Sequence, residues 1–241
     1  MRPARLAVVL VAHGSRDPRA AESTEALTRA VAEAHPEWEV HASYLDHAGP
    51  RPLDVLTWLE TAGHRQAVLV PLLLTAAYHG KVDVPAVAGQ ARDAGLRIDV
   101  RISDVLGPVS DLLLDGLIRR LPAGRLDAVV LAAAGTRDAA ARETVAAAAS
   151  ALGARLGVPC TVAYASAAAP TAAEAVVSLS ASRVGVAAYF LAPGRLYDIA
   201  MDSARSAGAV VFAPPLGDAP ELVALVTARV RATARQRLVA A

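Results

Sequence analysis

Short, uninterrupted apolar runs alternate with longer amphipathic segments along the chain, and this alternation restricts the fold more than any other feature. The first run, Leu6–Ala12, is continuous and rich in branched residues, as in a strand that is covered on both faces. Pro18 follows where a helix would begin, and apolar residues recur at helical spacing through Ala34. The alternation predicts an α/β fold in which helices cover both faces of a parallel sheet.

The same two patterns continue to the second half of the chain. Further strands are predicted at Val40–Leu45, Ala67–Leu74, Leu96–Ile102, Leu126–Ala133, Val158–Ala165 and Val184–Leu191, and further helices at Pro52–Thr61, Val84–Ala94, Val109–Leu121 and Ala139–Leu156.

The two halves also resemble each other in sequence. Ala12-His13-Gly14-Ser15-Arg16-Asp17 matches Ala133-Ala134-Gly135-Thr136-Arg137-Asp138, and two further matches follow in the same order. They pair residues 70–74 with 187–191 and Leu106-Gly107 with Leu216-Gly217. We interpret this as a tandem duplication and predict two open, doubly wound domains, residues 1–122 and 123–241. We expect a pseudo-two-fold axis to relate the domains, with a cleft between them.

Composition excludes several classes of protein. The chain has 241 residues, 54% of them hydrophobic, with a single cysteine and a net charge of +1. It is therefore neither a disulfide-stapled miniprotein nor a disordered chain. Near-zero net charge without a basic stripe argues against nucleic acid as a partner, and no apolar run approaches the roughly 20 residues that a membrane span needs. We expect a cytoplasmic protein and a monomer, with an oligomer left open.

All six histidines lie in the first half, although the two halves otherwise match. His13 and His79 each follow a predicted buried strand, and Asp46 follows the strand between them. Ligands of open α/β sheets bind outside these strand ends. Two neutral imidazoles suit a divalent transition metal, and an imidazole also accepts protons near neutral pH. The half that kept its histidines is therefore expected to carry the site.

Competing motifs are absent from the sequence. It contains neither a phosphate-binding loop nor a serine-hydrolase elbow, and no dinucleotide fingerprint follows the first strand. His35, His41 and His64 occur in polar surroundings and are predicted to lie on the surface, whereas the role of His47 is left open. Cys160, in the half without histidines, is expected to be a buried structural thiol.

Two motifs in the first half resemble those of the sirohydrochlorin and cobalt chelatases, ATP-independent enzymes of tetrapyrrole metabolism. One runs from Leu10 to Pro18 around His13, and the other from Pro71 to Pro85 around His79. Residues 190–196 resemble the degenerate second motif of two-domain members. The family usually has a glutamate where this chain has Asp46, so the proton-handling role of that position is open.

The resemblance implies insertion of iron or cobalt, with nickel also compatible, into sirohydrochlorin or a related tetrapyrrole. The metal is then a substrate, and no permanently bound cofactor is implied. His13, Asp46 and His79 would be catalytic, and His13 and His79 would bind the metal. The implied substrate-binding residues are Ser15, Arg16, Arg51, Leu74, Thr75, Ala76, Ala77, Tyr78 and Lys81. The alternative is a non-catalytic carrier of metal or tetrapyrrole, which would need no proton acceptor at Asp46.

Overall fold

The computed structural model describes residues 5–75 and 83–239, except for the side chains of 236–239. Within this part of the chain, strands and helices alternate throughout, and the prediction of an α/β fold is confirmed. The elements are β1 (Leu6–Ala12), α1 (Pro18–Ala34), β2 (Trp38–Tyr44), α2 (Pro52–Thr61), β3 (Gln66–Pro71), α3 (Val84–Asp93), β4 (Asp99–Ile102), α4 (Asp111–Arg120), β5 (Ala128–Ala133), α5 (Ala139–Leu156), β6 (Cys160–Tyr164), α6 (Ala172–Ser178), β7 (Val184–Tyr189), α7 (Arg195–Ser206), β8 (Val211–Phe212) and α8 (Pro220–Val239).

Local sequence explains where the first strand and helix begin and end. The Asp17 side chain accepts a hydrogen bond from the Arg19 N–H, and Pro18 opens α1 without leaving a donor unpaired. Five strands, β3 to β7, are shorter than the apolar runs that predict them, and β3 and β4 show why. β3 ends at Pro71 because the Leu73 N–H turns back onto the Pro71 carbonyl at 2.9 Å. β4 begins only at Asp99, since Leu96 still bonds to the Ala91 carbonyl at the end of α3.

The strands form two parallel four-stranded sheets with the same order. The first sheet runs β2-β1-β3-β4 and the second β6-β5-β7-β8. From β1 the chain moves to β2 on one side and then returns to β3 on the other. Right-handed connections consequently place α1 on one face of the sheet and α2 and α3 on the opposite face. The reversal of strand order leaves a crevice beside the carboxyl end of β1.

The two compact units do not coincide with the two sequence repeats. The first unit contains residues up to Leu106 together with those from Val223 onward, and the second contains Gly107–Leu222. The last helix of each repeat is therefore exchanged: α4 belongs to the second unit and most of α8 to the first. The boundary after residue 122 stays a prediction about the repeat.

In the first unit, α2 and α3 pack on one face of the sheet through Leu56, Leu59 and Val87. The C-terminal helix α8 contributes the buried residues Val226 and Val230. It is tied to this unit by polar contacts as well, because Arg229 donates from Nε to the Val105 carbonyl at 2.8 Å and from Nη2 to the Leu106 carbonyl at 3.2 Å.

In the second unit, α6 and α7 cover one face of the sheet, with Val176 and Met201 in the core. Helix α4 packs with α5: Arg155 of α5 pairs with Asp111 at 3.1 Å and also with Asp115. Arg120 at the end of α4 donates to the Leu216 carbonyl at 2.6 Å. Among the helices of the described residues, none has the length and apolar character needed to cross a membrane.

Candidate active site

The turn after β1 lies directly against the turn after β2. The Asp46 N–H donates to the His13 carbonyl at 2.8 Å, which continues the strand pairing past the end of both strands. Gly14 has a φ of +93°, and a Cβ there would lie 1.8 Å from the Asp46 carbonyl oxygen. Only glycine permits this approach. The sequence thus folds so that His13 and Asp46 stand side by side at the carboxyl edge of the sheet.

The Asp46 carboxylate has three neighbours that favour its charged form. The His47 N–H donates to Asp46 Oδ1 at 2.8 Å, His47 Nε2 lies 3.5 Å from Oδ2, and Arg51 Nη2 lies 3.7 Å from Oδ1. The hydrogen bond from the His47 N–H is the main reason that the pKa of Asp46 lies below its usual value, and the charges of His47, Arg51 and His13 add to it. Asp46 is therefore an anion at neutral pH.

His47, whose role the sequence left open, belongs to this group. Its ring stands perpendicular to the His13 ring with 6.2 Å between the centroids, and its backbone has a φ of +61°. Adjacency to Asp46 was the only sign of this in the sequence, because periodicity does not show where a loop residue points.

A pocket of about 540 Å³ lies beside the turns after β1 and β2 in the first unit. His13, Asp46 and Arg51 lie on one side of it, and the start of α3, with Val87 and Gln90, lies on another. The pocket is open at the edge of the sheet where α/β proteins bind their ligands. Across residues 5–75 and 83–239, no three histidine, cysteine, aspartate or glutamate side chains form a ready-made metal cluster.

The predicted site residues fall into three groups. His13, Asp46 and Arg51 come together around the pocket. The remaining described residues lie elsewhere: Ser15 Oγ accepts from the Asp17 N–H at 3.0 Å, Arg16 is exposed, and Leu74 and Thr75 follow β3, where Leu74 is buried. The others, His79, Ala76, Ala77, Tyr78 and Lys81, lie outside the described residues.

The second unit repeats the backbone of this site with different side chains. Gly135 also has a φ of +93°, and its Cβ would lie 1.9 Å from the Ser166 carbonyl oxygen. Ala167, which corresponds to His47, has a φ of +60°. The residues that correspond to His13, Asp46, His47 and Arg51 are Ala134, Ser166, Ala167 and Thr171. The turns consequently keep their shape without an imidazole, a carboxylate or a guanidinium at these four positions.

The comparison of the repeats also explains Ser15. Thr136, its counterpart, accepts from the Asp138 N–H at 3.1 Å, just as Ser15 accepts from that of Asp17. Asp17 and Asp138 in turn cap α1 and α5. Both repeats therefore keep this motif as a turn and helix cap. Substrate binding by Ser15 stays a prediction.

Two histidines predicted to lie on the surface are buried instead. His35 is 8% exposed, stacks on Trp38 with 3.9 Å between ring centroids, and lies 2.7 Å from Thr227 Oγ1 of α8. His64 is also 8% exposed and lies 3.2 Å from Glu39 Oε2. The prediction was wrong because polar sequence neighbours do not reveal a tertiary partner.

Cys160 is partly buried, and burial raises the pKa of its thiol to about 12, as expected for a structural thiol.

Comparison with solved structures shows the same fold in chelatases. The structure of SirB from Bacillus subtilis with Fe3+ matches with a TM-score of 0.82 at 20% identity, covering 97% of this chain and 98% of that one. SirB from Bacillus subtilis subspecies spizizenii in complex with cobalt gives a TM-score of 0.81 at 21% identity, covering 96% of each chain. CbiX, the terminal enzyme of siroheme biosynthesis in denitrifying bacteria, gives 0.65 at 18% identity over 95% of this chain and 99% of that one.

Sequence comparison gives a curated relative and a family. A sirohydrochlorin cobaltochelatase from Methanococcoides burtonii is 23% identical over 83 residues, which are 34% of this chain. The match spans 63% of the length of that relative. The CbiX family model matches residues 7–122 and again residues 128–233, so it covers both repeats. The chain therefore belongs to the CbiX family.

Proposed function

We propose that this protein is an ATP-independent metal chelatase that inserts ferrous iron or cobalt into sirohydrochlorin or a related tetrapyrrole. One observation carries the proposal: the family model matches both repeats, yet only the first keeps an imidazole and a carboxylate at the edge of its sheet. A duplicated fold that retains ionisable groups in one copy is typical of a site maintained for chemistry in that copy. The metal-bound chelatase structures of the same fold are consistent with this assignment.

Metal insertion requires that pyrrole protons leave as the metal enters. A neutral His13 would offer its one free nitrogen lone pair to the metal. Once the metal has passed to the macrocycle, His13 would accept a pyrrole proton on the same nitrogen, since both roles need the uncharged ring. His79, which follows β3 in the sequence, would supply the second metal ligand. This division of roles follows from the family motifs around the two histidines.

The electrostatics of Asp46 favour an orienting role over proton carriage. A carboxyl group whose pKa is lowered gives up its proton readily and is a poor proton acceptor at neutral pH. It can, however, stabilise the imidazolium that forms when His13 takes up a proton, and can fix the tautomer of the ring. Asp46 would therefore assist His13 as a fixed negative charge.

Positive side chains near the pocket suit a substrate that carries carboxylates. Arg51 borders the pocket, and Arg16 follows the His13 turn. A guanidinium binds a carboxylate with two parallel hydrogen bonds, whereas the ammonium of Lys81 would act as a point charge. Thr75 and the small residues after it would lie against the macrocycle.

The experiment is an anaerobic absorbance assay of metal insertion into sirohydrochlorin, run separately with Fe2+, Co2+ and Ni2+. We expect many turnovers per chain with at least one metal. His13→Ala should abolish most of the insertion, yet the fold should be retained, because Ala134 occupies the same turn in the second repeat. Unchanged circular dichroism and thermal unfolding would establish that the variant is folded.

The same assay separates the enzyme from the carrier. A carrier binds one equivalent of metal or tetrapyrrole and stops, whereas a chelatase releases metallated product repeatedly. Insertion that never exceeds one event per chain with any of the three metals would refute the enzyme assignment.

A further inference from the structure

We propose that His47 is a positioning residue, whose ring holds the Asp46 carboxylate and the His13 imidazole in their working orientation. This inference rests on the proposed function, because it assigns a further residue to the same site. It concerns a side chain that the family motifs around His13 and His79 do not include.

Both oxygens of the Asp46 carboxylate are held by the same residue. The His47 N–H donates to Oδ1 at 2.8 Å, and its ring nitrogen Nε2 lies 3.5 Å from Oδ2. The two contacts come from opposite ends of one residue, so the carboxylate has little freedom to rotate. The nearest alternative partner, Arg51, is 3.7 Å from Oδ1 and would draw the carboxylate toward α2 if the ring were absent.

The same ring also limits the movement of His13. The His13 and His47 rings meet edge to face, with centroids 6.2 Å apart and planes at 90°. His13 itself is exposed, and a histidine on an exposed turn samples several rotamers within nanoseconds. The His47 ring thus contacts both ionisable groups of the proposed site.

The fold gives no other reason for an imidazole at this position. In the second repeat Ala167 has nearly the same backbone angle, a φ of +60° against +61°, and the neighbouring turns are the same. A non-glycine residue in this region of backbone space is uncommon and mildly strained whichever side chain it carries. Since alanine adopts this backbone in the repeat that lacks the site, the turn does not need the ring of His47, and the ring can act in the site.

His47→Ala is therefore a clean test: it removes the ring but retains the N–H that binds Asp46 Oδ1. We expect kcat for metal insertion to fall about 10- to 100-fold, as is usual when a residue that orients a ligand is lost. KM and the melting temperature should change little. His47→Asn, which keeps a donor and tolerates this backbone region, should recover part of kcat.

The environment of the His13 ring can also be measured directly, without turnover. Imidazole ¹⁵N–¹H spectra of the full chain without metal should show altered His13 signals in His47→Ala. The control is Ala167→His, which places an imidazole in the matching turn of the second repeat and should leave both kcat and the His13 signals unchanged. The double variant Asp46→Ala/His47→Ala should lose less activity than the product of the two single losses, because part of the effect of His47 passes through the Asp46 carboxylate.

Unchanged kcat and unchanged His13 signals in His47→Ala would overturn the inference, as would full additivity in the double variant. Failure of the proposed function looks different. If the wild-type protein inserts no metal, the enzyme assignment fails, while the His13 spectra still report whether His47 orients that ring.

Discussion

At the scale of single residues, the close approach of two turns decides which positions can change. The His13–Gly14 turn touches the backbone of Asp46, so Gly14 is fixed by its surroundings. His13, Asp46, His47 and Arg51 have no such constraint, since the second repeat replaces all four within the same backbone. Stability and chemistry are therefore carried by different residues of one loop pair.

Gly14→Ala should destabilise the protein by more than about 2 kcal/mol, because the new Cβ would combine strained backbone with a clash against a carbonyl oxygen. Gly157→Ala is the matched control. Gly157 has a φ of +68° but open space around it, so only the backbone cost of about 1 kcal/mol applies. Urea unfolding of both variants measures the difference, and equal losses would contradict the close approach at Gly14.

The charge of Asp46 leads to a prediction about pH. Because its pKa is lowered, Asp46 stays ionised until the pH falls below its usual range near 4, and any stability it contributes is lost only there. Loss of metal insertion near the ordinary histidine pKa of about 6.5 would therefore report the site histidines, His13 and His79, and not Asp46. Since the charge of His13 helps to lower the pKa of Asp46, the carboxylate reciprocally favours the His13 imidazolium.

Asp46→Asn should accordingly shift the acid limb of the pH–rate profile to lower pH, by less than about one unit because the pair is exposed. Profiles of kcat/KM for wild type and variant between about pH 5 and 8 give the shift. A limb that moves to higher pH, or one that vanishes in the variant, would contradict the assignment.

At the scale of elements, the two repeats start equivalent helices with different caps. Thr171 opens α6 with a complete capping box: its hydroxyl accepts from the Glu174 N–H at 3.3 Å, and Glu174 accepts from the Thr171 N–H at 2.8 Å. Arg51 opens α2 with half of this arrangement, because Asp54 accepts from its N–H at 3.0 Å but a guanidinium accepts nothing. At the pocket, the N-cap position of α2 is therefore occupied by an arginine, which caps a helix less well than threonine does.

Arg51→Thr should therefore raise the free energy of unfolding by up to about 1 kcal/mol through the better cap. The gain is reduced by the loss of the hydrogen bond from Arg51 Nη1 to the Leu45 carbonyl. The same change should raise KM if Arg51 binds a substrate carboxylate. Thr171→Arg is the reverse control and should cost about 1 kcal/mol with no effect on KM. Thermal unfolding and steady-state kinetics of the two variants check both statements, and a Thr171→Arg variant as stable as wild type would count against the role of the caps.

The existence of the helices and strands was more predictable from the sequence than their end residues or their tertiary contacts. Periodicity and caps place β1, α1, α2 and α5 at the bounds observed, because those signals are local. The apolar run continues past Pro71, where β3 ends, because a buried apolar residue need not form a hydrogen bond to a neighbouring strand. The position of His13 and Asp46 at one sheet edge was predictable from the strand ends, and Arg51 came only with the family resemblance. The burial of His35 depends on Thr227, a partner far away in the sequence.

At the scale of the whole molecule, the exchange of helices ties the repeats together. Helices α4 and α8 begin with matching sequences, so their amphipathic patterns do not reveal which sheet each will cover. In the folded chain α4 completes the second unit and α8 the first. The first repeat, when it is cut out of the chain, consequently lacks the helix that completes its own unit, while its α4 is left to cover a second sheet.

We therefore expect the fragment of residues 1–122 to form dimers, in which the α4 of each copy covers the sheet of the other. Light scattering during size-exclusion chromatography gives the mass. The control joins residues 1–106 to residues 223–241 through a flexible linker, restores the composition of the first unit, and should be monomeric. A stable monomer of the 1–122 fragment would contradict the expectation.

The late position of α8 also has a consequence for synthesis on the ribosome. The segment between Leu106 and Val223, residues 107–222, has 116 residues, and at about 5–20 residues per second the first unit waits about 6 to 23 seconds for its last helix. During that time His35 lacks its partner Thr227, and the Val105 and Leu106 carbonyls lack Arg229. The turn that carries His13 is made long before α8, yet its unit is complete only when α8 emerges.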